Sequence, residues 1–72
     1  MKVYILSSDN NIIIGVYAEK NTAKANMIDY IKKYYNQDES TIYPDEYETF
    51  ILYNFKYNDE WLTYKIREEI VK

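Results

Sequence analysis

A chain of 72 residues with neither cysteine nor histidine can be held in shape by packing alone. No disulfide can staple it, and no zinc site of the usual kind can nucleate it. A chain of this length buries only about 60% of the surface its unfolded form exposes, which leaves room for one domain (residues 1–72) with a thin core. Small scaffolds without staples lean on well-matched packing or on a second subunit. A homodimer is therefore expected. The missing cysteines also argue against a secreted, disulfide-framed protein. The opening apolar run, Met1-Lys2-Val3-Tyr4-Ile5-Leu6, is too short for a signal-peptide core or a bilayer span. A cytoplasmic protein without a membrane partner is expected.

The hydrophobic pattern changes period along the chain. Lys2 to Ser7 alternates, with Val3 and Ile5 on one face and Tyr4 and Leu6 on the other, as a strand does. Asp9-Asn10-Asn11 is a turn cluster, because Asn and Asp tolerate left-handed backbone and bond their own main chain. The β-branched run Ile12 to Tyr17 reads as the returning strand of a hairpin. Gly15, the single glycine, suggests a bulge or a close approach of the helix there. Asn21 or Thr22 offers an N-cap. From Ala23 the period becomes helical: Ala23, Met27, Tyr30, Ile31 and Tyr34 form one apolar stripe, with Lys24, Asp29, Lys32 and Lys33 off it. The helix should end near Asn36.

Gln37 to Tyr47 is aperiodic, contains the single proline, Pro44, and is rich in acids. It reads as a loop. Alternation returns from Thr49 to Tyr57, with Ile51, Tyr53 and Phe55 opposed to Leu52, Asn54 and Lys56. Asn58-Asp59 fits a two-residue turn. Glu60 to Arg67 then sets Leu62, Tyr64 and Ile66 against Trp61, Thr63, Lys65 and Arg67. A fourth strand is favoured, with a C-terminal helix through Ile70 as the alternative. The expected fold is α+β, ββαββ, with one helix packed on a mainly antiparallel sheet.

Composition removes most chemistry. Catalytic triads and common zinc sites need His or Cys, and one glycine cannot build a Rossmann or Walker phosphate loop. Carboxylate pairs remain at Asp45-Glu46 with Glu48, at Asp59-Glu60 and at Glu68-Glu69. Acid–base work needs carboxyls held at set separations in unlike environments, and neighbours on loops and strand ends rarely meet that. No Asp-x-Asp-x-Asp spacing suggests calcium. The protein is expected to be non-enzymatic, with no cofactor and no metal.

The charge is uneven. Residues 1–36 carry five cations against three acids, and residues 37–72 carry four cations against nine acids. An acidic second half opposes a phosphate-backbone binder, which needs clustered cations, so direct nucleic-acid binding is not expected. Asp38, Glu39, Asp45, Glu46 and Glu48, interleaved with Tyr43 and Tyr47, lie in a stretch without Lys or Arg. Such a row can occupy a basic groove, with tyrosines as anchors; Trp61 is a further candidate anchor. These eight residues are the candidate partner-binding set, and the partner expected is a protein with a basic surface. Ten Ile, ten Tyr, eight Lys and seven Asn make up 35 of the 72 residues, and all four have AT-rich codons. The tyrosines can therefore reflect the genome as well as an interface.

Met1-Lys2-Val3-Tyr4-Ile5-Leu6, then Ile14-Gly15-Val16-Tyr17, then Ala23 to Tyr35 resemble a recurrent type of small phage and Firmicute protein. Those proteins open on Met-Lys-Val-Tyr-Ile, form a hairpin and continue with a short helix. In the usual pattern a shorter acidic strand follows; here the tail from Asp45 is longer and more aromatic. The resemblance implies the setting of a short phage accessory protein, which would place it in the host cytoplasm. It implies stoichiometric action on a host or defence protein, such as a nuclease. It carries over no site residue. Two other functions fit the composition. One is capture of a small nucleotide, stacked on tyrosine near Lys24, Lys32 or Lys65. The other is a structural or regulatory homodimer subunit.

Overall fold

A computed structural model describes all 72 residues. The first strand, β1 (Lys2–Ser7), turns back into β2 (Ile13–Tyr17). Ser8 makes this turn: its Oγ accepts from the Asn10 and Ile12 amides, and Asn11 adopts a left-handed φ of 62°. The hairpin is irregular. Leu6 faces Gly15 and Ser7 faces Ile13, so Ile14 is an extra residue, a bulge. A β-carbon on Gly15 would lie 2.9 Å from the Tyr17 ring. The close approach at Gly15 thus comes from the ring of Tyr17, with the bulge beside it, and not from the helix.

The helix, α1 (Lys20–Tyr35), begins before the expected cap. Glu19 occupies the N-cap without a side-chain bond, and Asn21 and Thr22 lie inside the first turn. It ends where expected, on Asn36 in left-handed conformation, with Lys32 and Lys33 in the last turn beside the negative end of the helix dipole. Ala23, Met27 and Ile31 are fully buried, but Tyr34 is 67% exposed. Tyr35 takes the inward place and packs on Phe55 and Tyr64. Steps of four residues advance about 40° around a helix axis, so the buried line 23, 27, 31 continues to 35. Tyr34 turns outward and stacks on Tyr30 at 4.4 Å.

One turn of 3₁₀ helix (Glu39–Thr41) leads into β3 (Tyr43–Glu46), then β4 (Phe50–Tyr57) and β5 (Glu60–Ile70). The acidic segment expected to be a loop thus contains a short strand. Pro44 is tolerated because β3 is an edge, where a missing N–H costs no ladder bond. The β4–β5 turn is the expected Asn58-Asp59 pair, with φ of 50° and 63°, the mark of a type I′ hairpin. The C-terminal helix alternative fails because β5 pairs with β4 from Glu60 to Arg67 and with β1 from Lys65 to Ile70. The outcome is an α+β fold: one helix on a five-stranded antiparallel sheet of order β2-β1-β5-β4-β3.

The core lies between helix and sheet. Leu6, Ile51, Tyr53, Phe55, Tyr64 and Ile66 rise from the strands to meet Ala23, Met27 and Ile31, and Ile42 closes the side near β3. Only 11 of 72 residues are buried, so a single layer of contacts holds the molecule. The opposite face of the sheet has no layer over it.

Candidate binding surface on the open sheet face

Alternation decides what the uncovered face displays. Along β5 the residues opposed to the core are Trp61, Thr63, Lys65, Arg67 and Glu69, and along β4 they are Phe50, Leu52, Asn54 and Lys56. Register extends this grid sideways. Tyr43 and Asp45 of β3 lie beside Asn54 and Leu52. Ser7 and Ile5 of β1 lie beside Lys65 and Arg67, and Ile13 and Val16 of β2 complete those rows. Ile13, Val16, Tyr43 and Trp61 are each more than half exposed.

The aromatic residues form two pairs at the two ends of β4. Tyr43 and Trp61 lie with ring centroids 6.1 Å apart, and Tyr47 stacks on Phe50 at 4.6 Å. Lys65 Nζ sits 5.9 Å from the Phe50 ring, in cation–π range. Between the pairs runs a polar chain: Thr63 Oγ1 donates to Asn54 Oδ1 at 2.8 Å, and Asn54 Nδ2 donates to the Tyr43 carbonyl and to Asp45 Oδ2. Ser7, almost wholly buried, donates to the Lys65 carbonyl. These bonds link β3, β4 and β5 to one another, and β1 to β5, across the face that carries the aromatic residues.

The candidate residues named from sequence are divided by the fold. Tyr43, Asp45 and Trp61 share the open face, and Tyr47 joins them through its stack on Phe50. Glu46 points the other way. It meets Lys24 at 2.9 Å and Lys20 at 3.7 Å, and the hydrogen bond and charge of Lys24 hold its carboxyl below the ordinary carboxylate range. Asp38 is spent locally, accepting from the Glu39 amide and Ser40 Oγ. Glu39 is exposed near Pro44 and Glu46, and Glu48 is exposed in the β3–β4 turn. The row of acids is therefore not a continuous stripe. Three of the four cations of the second half, Lys56, Lys65 and Arg67, project from the open face instead, against Asp45 and Glu69.

Two of the carboxylate pairs are split by the pleat. Neighbours on a strand point to opposite faces, so Asp45 and Glu46, and likewise Glu68 and Glu69, are separated by the sheet. Glu68 is engaged by Lys2 at 3.4 Å and by the Tyr4 hydroxyl. No three acidic side chains converge where a cation could be shared. The buried tyrosines are held neutral: desolvation, then the Glu46 charge, pushes Tyr53 up to about 12. Desolvation and the hydrogen bond with Tyr35 raise Tyr64 as well. No helix is long and apolar enough to cross a membrane.

Sequence reasoning missed Phe50, Leu52, Ile5 and Val16 as members of this surface. Alternation already opposed Leu52, Lys65 and Arg67 to the core, but only the strand order places β1 beside β5, with β2 beyond it. Comparison with protein-family models, with curated proteins and with solved structures gives no match to this chain.

Proposed function

We propose that this is a non-enzymatic binding protein that docks the open face of its sheet on a partner protein and acts stoichiometrically, as an inhibitor or adaptor. One observation carries the reading: an uncovered sheet face bears Tyr43, Tyr47, Phe50 and Trp61 around Lys65 and Arg67. Tyr, Trp, Phe and Arg are the residues enriched in protein interfaces and their hot spots. The interspersed Asp45 and Glu69 oppose a polyanionic partner, because a nucleic-acid footprint needs cations not balanced locally. Of the acids that suggested a basic groove, only Asp45 and Glu48 border the aromatic residues. The partner surface that fits best is apolar and mixed in charge, with carboxylates opposite Lys65 and Arg67. Without a partner, two copies meet on this face as packed sheets, about 10 Å apart, and give the homodimer expected from the thin core.

The test compares tagged parent protein with two variants, Tyr43→Ala/Trp61→Ala on the open face and Asp29→Asn/Lys32→Gln on the helix. A partner should be retained by the parent and the helix variant and lost from the open-face variant. With that partner purified, the open-face variant should bind about thirtyfold more weakly or worse, the loss seen when hot-spot residues are truncated. Equal retention by the open-face variant, or retention of no protein by the parent, overturns the reading.

A further inference from the structure

On the helix side, at the end of the sheet away from β3, a cleft opens between the β1–β2 turn, the last turns of α1 and the start of β5. Its volume is about 280 Å³, a little below the usual range for small-molecule sites. Ser8, Asp9, Tyr30, Tyr35, Leu62 and Tyr64 line it. This cleft lies apart from the open face and plays no part in the docking reading.

Three features of the lining share one sign. Asp9 is its single charged residue. The Asp9 carboxylate is held in place because Oδ1 accepts from the Thr63 amide at 2.9 Å, which leaves its second oxygen without a protein partner. Tyr30 and Tyr35, both half-buried, border it, with the buried Tyr64 beside them and its hydroxyl bonded to that of Tyr35; aromatic faces carry negative potential, and hydroxyl oxygens accept. Tyr35 is the last helical residue, with Asn36 as the C-cap, so the negative end of the helix dipole adjoins the cleft. No Lys or Arg lines it; Lys33, together with Asp29, lines the adjoining groove that shares Ile14 and Tyr30. An anion would meet repulsion from Asp9 and find no cation, whereas a neutral apolar ligand would leave the carboxylate unused.

We propose that this cleft binds a small organic cation bearing an alkylated ammonium head. The nitrogen's charge lies against Asp9, and its methyl groups pack on Tyr30, Tyr35 and Leu62. Aromatic residues with a carboxylate are how quaternary ammonium groups are recognised elsewhere, through cation–π attraction in a partly dry site. Nothing on the open face must move for the cleft to fill.

Choline is the probe, with 3,3-dimethyl-1-butanol, its neutral isostere, as the control. Amide NMR of the full chain reads the Thr63 N–H, which reports on Asp9 directly, together with Asp9 and Tyr64. Choline should shift these amides saturably, sodium chloride at equal ionic strength should not, and the isostere should bind roughly tenfold more weakly for want of the charge. Asp9→Asn keeps an acceptor for Thr63 and should weaken choline by a similar factor while leaving the isostere unchanged. Tyr30→Leu, which keeps apolar bulk but removes a ring, should also weaken choline selectively. Equal binding of choline and the isostere, unchanged choline binding in both variants, or no saturable shift overturns the proposal.

Discussion

Replacing Ile31 by Ala tests the helix register and the single-layer core together. Ile31 is fully buried between Met27 and the sheet. The change removes about three carbons' worth of burial at ~0.8 kcal/mol each, or about 2.4 kcal/mol from transfer alone. The cavity left behind brings the cost to about 3–4 kcal/mol, because a core closed by one helix has no second layer to collapse inward. A domain of this size has about 4–10 kcal/mol in total, so the variant stands near the edge of folding. Its melting midpoint should fall by about 12–32 °C, at about 4–8 °C per kcal/mol for a small domain. Tyr34→Ala is the matched control. Tyr34 lies on the stripe read from sequence, yet it is exposed and its stack on Tyr30 accounts for only about 0.2–0.5 kcal/mol. Thermal and urea unfolding followed by circular dichroism measure both. Equal losses from the two variants, or a loss under about 1 kcal/mol for Ile31→Ala, well below the range for buried large-to-small changes, refute the register.

Three further outcomes are expected. Glu46 has a carboxyl held below its ordinary value of 4.5 by the Lys24 hydrogen bond and charge, so its contribution to stability is present above that value and lost as pH falls through the lowered one. Glu46→Gln should therefore differ from the parent near neutrality and converge on it in acid. Tyr53, raised from 10.0 to about 12 mainly by burial, favours the folded state fully below pH 10.0 and loses that effect as pH climbs toward about 12. Ultraviolet titration should show late-ionising tyrosines whose release coincides with alkaline unfolding. Light scattering should give a mass near twice 8.8 kDa at high concentration, and Leu52→Asp, which places a charge at the middle of the open face, should yield a folded monomer whose melting midpoint no longer rises with concentration as the parent's does.

The legible parts of the fold were those with a strong period or local chemistry. The two hairpins, the helix end at Asn36 and the alternation of Ile51, Tyr53 and Phe55 could all be read from neighbouring residues. β3 could not, because Pro44, Asp45 and Glu46 are residues that strands avoid; it exists only because β4 offers a partner edge. The inward turn of Tyr35 and the outward turn of Tyr34 depend on how the helix lies over the sheet, which no local pattern fixes. Trp61, Tyr43 and Tyr47 were found from residue type. Their union with Lys65 and Arg67 required the order β1-β5-β4-β3, a long-range fact. The acids looked continuous along the chain, but the pleat sends Asp45 and Glu46 to opposite faces.

Methyl cross-saturation from an unlabelled partner tests the open face most directly. Val16, Ile5 and Leu52 carry methyl groups on that face, whereas Ile28 lies on the helix, beside the groove shared with Pro44 and Tyr53. In the complex, saturating the partner's protons should attenuate the methyl signals of Leu52, Ile5 and Val16 and leave that of Ile28 untouched. Attenuation at Ile28 with Leu52 unaffected would place the contact on the helix side and contradict the open-face reading.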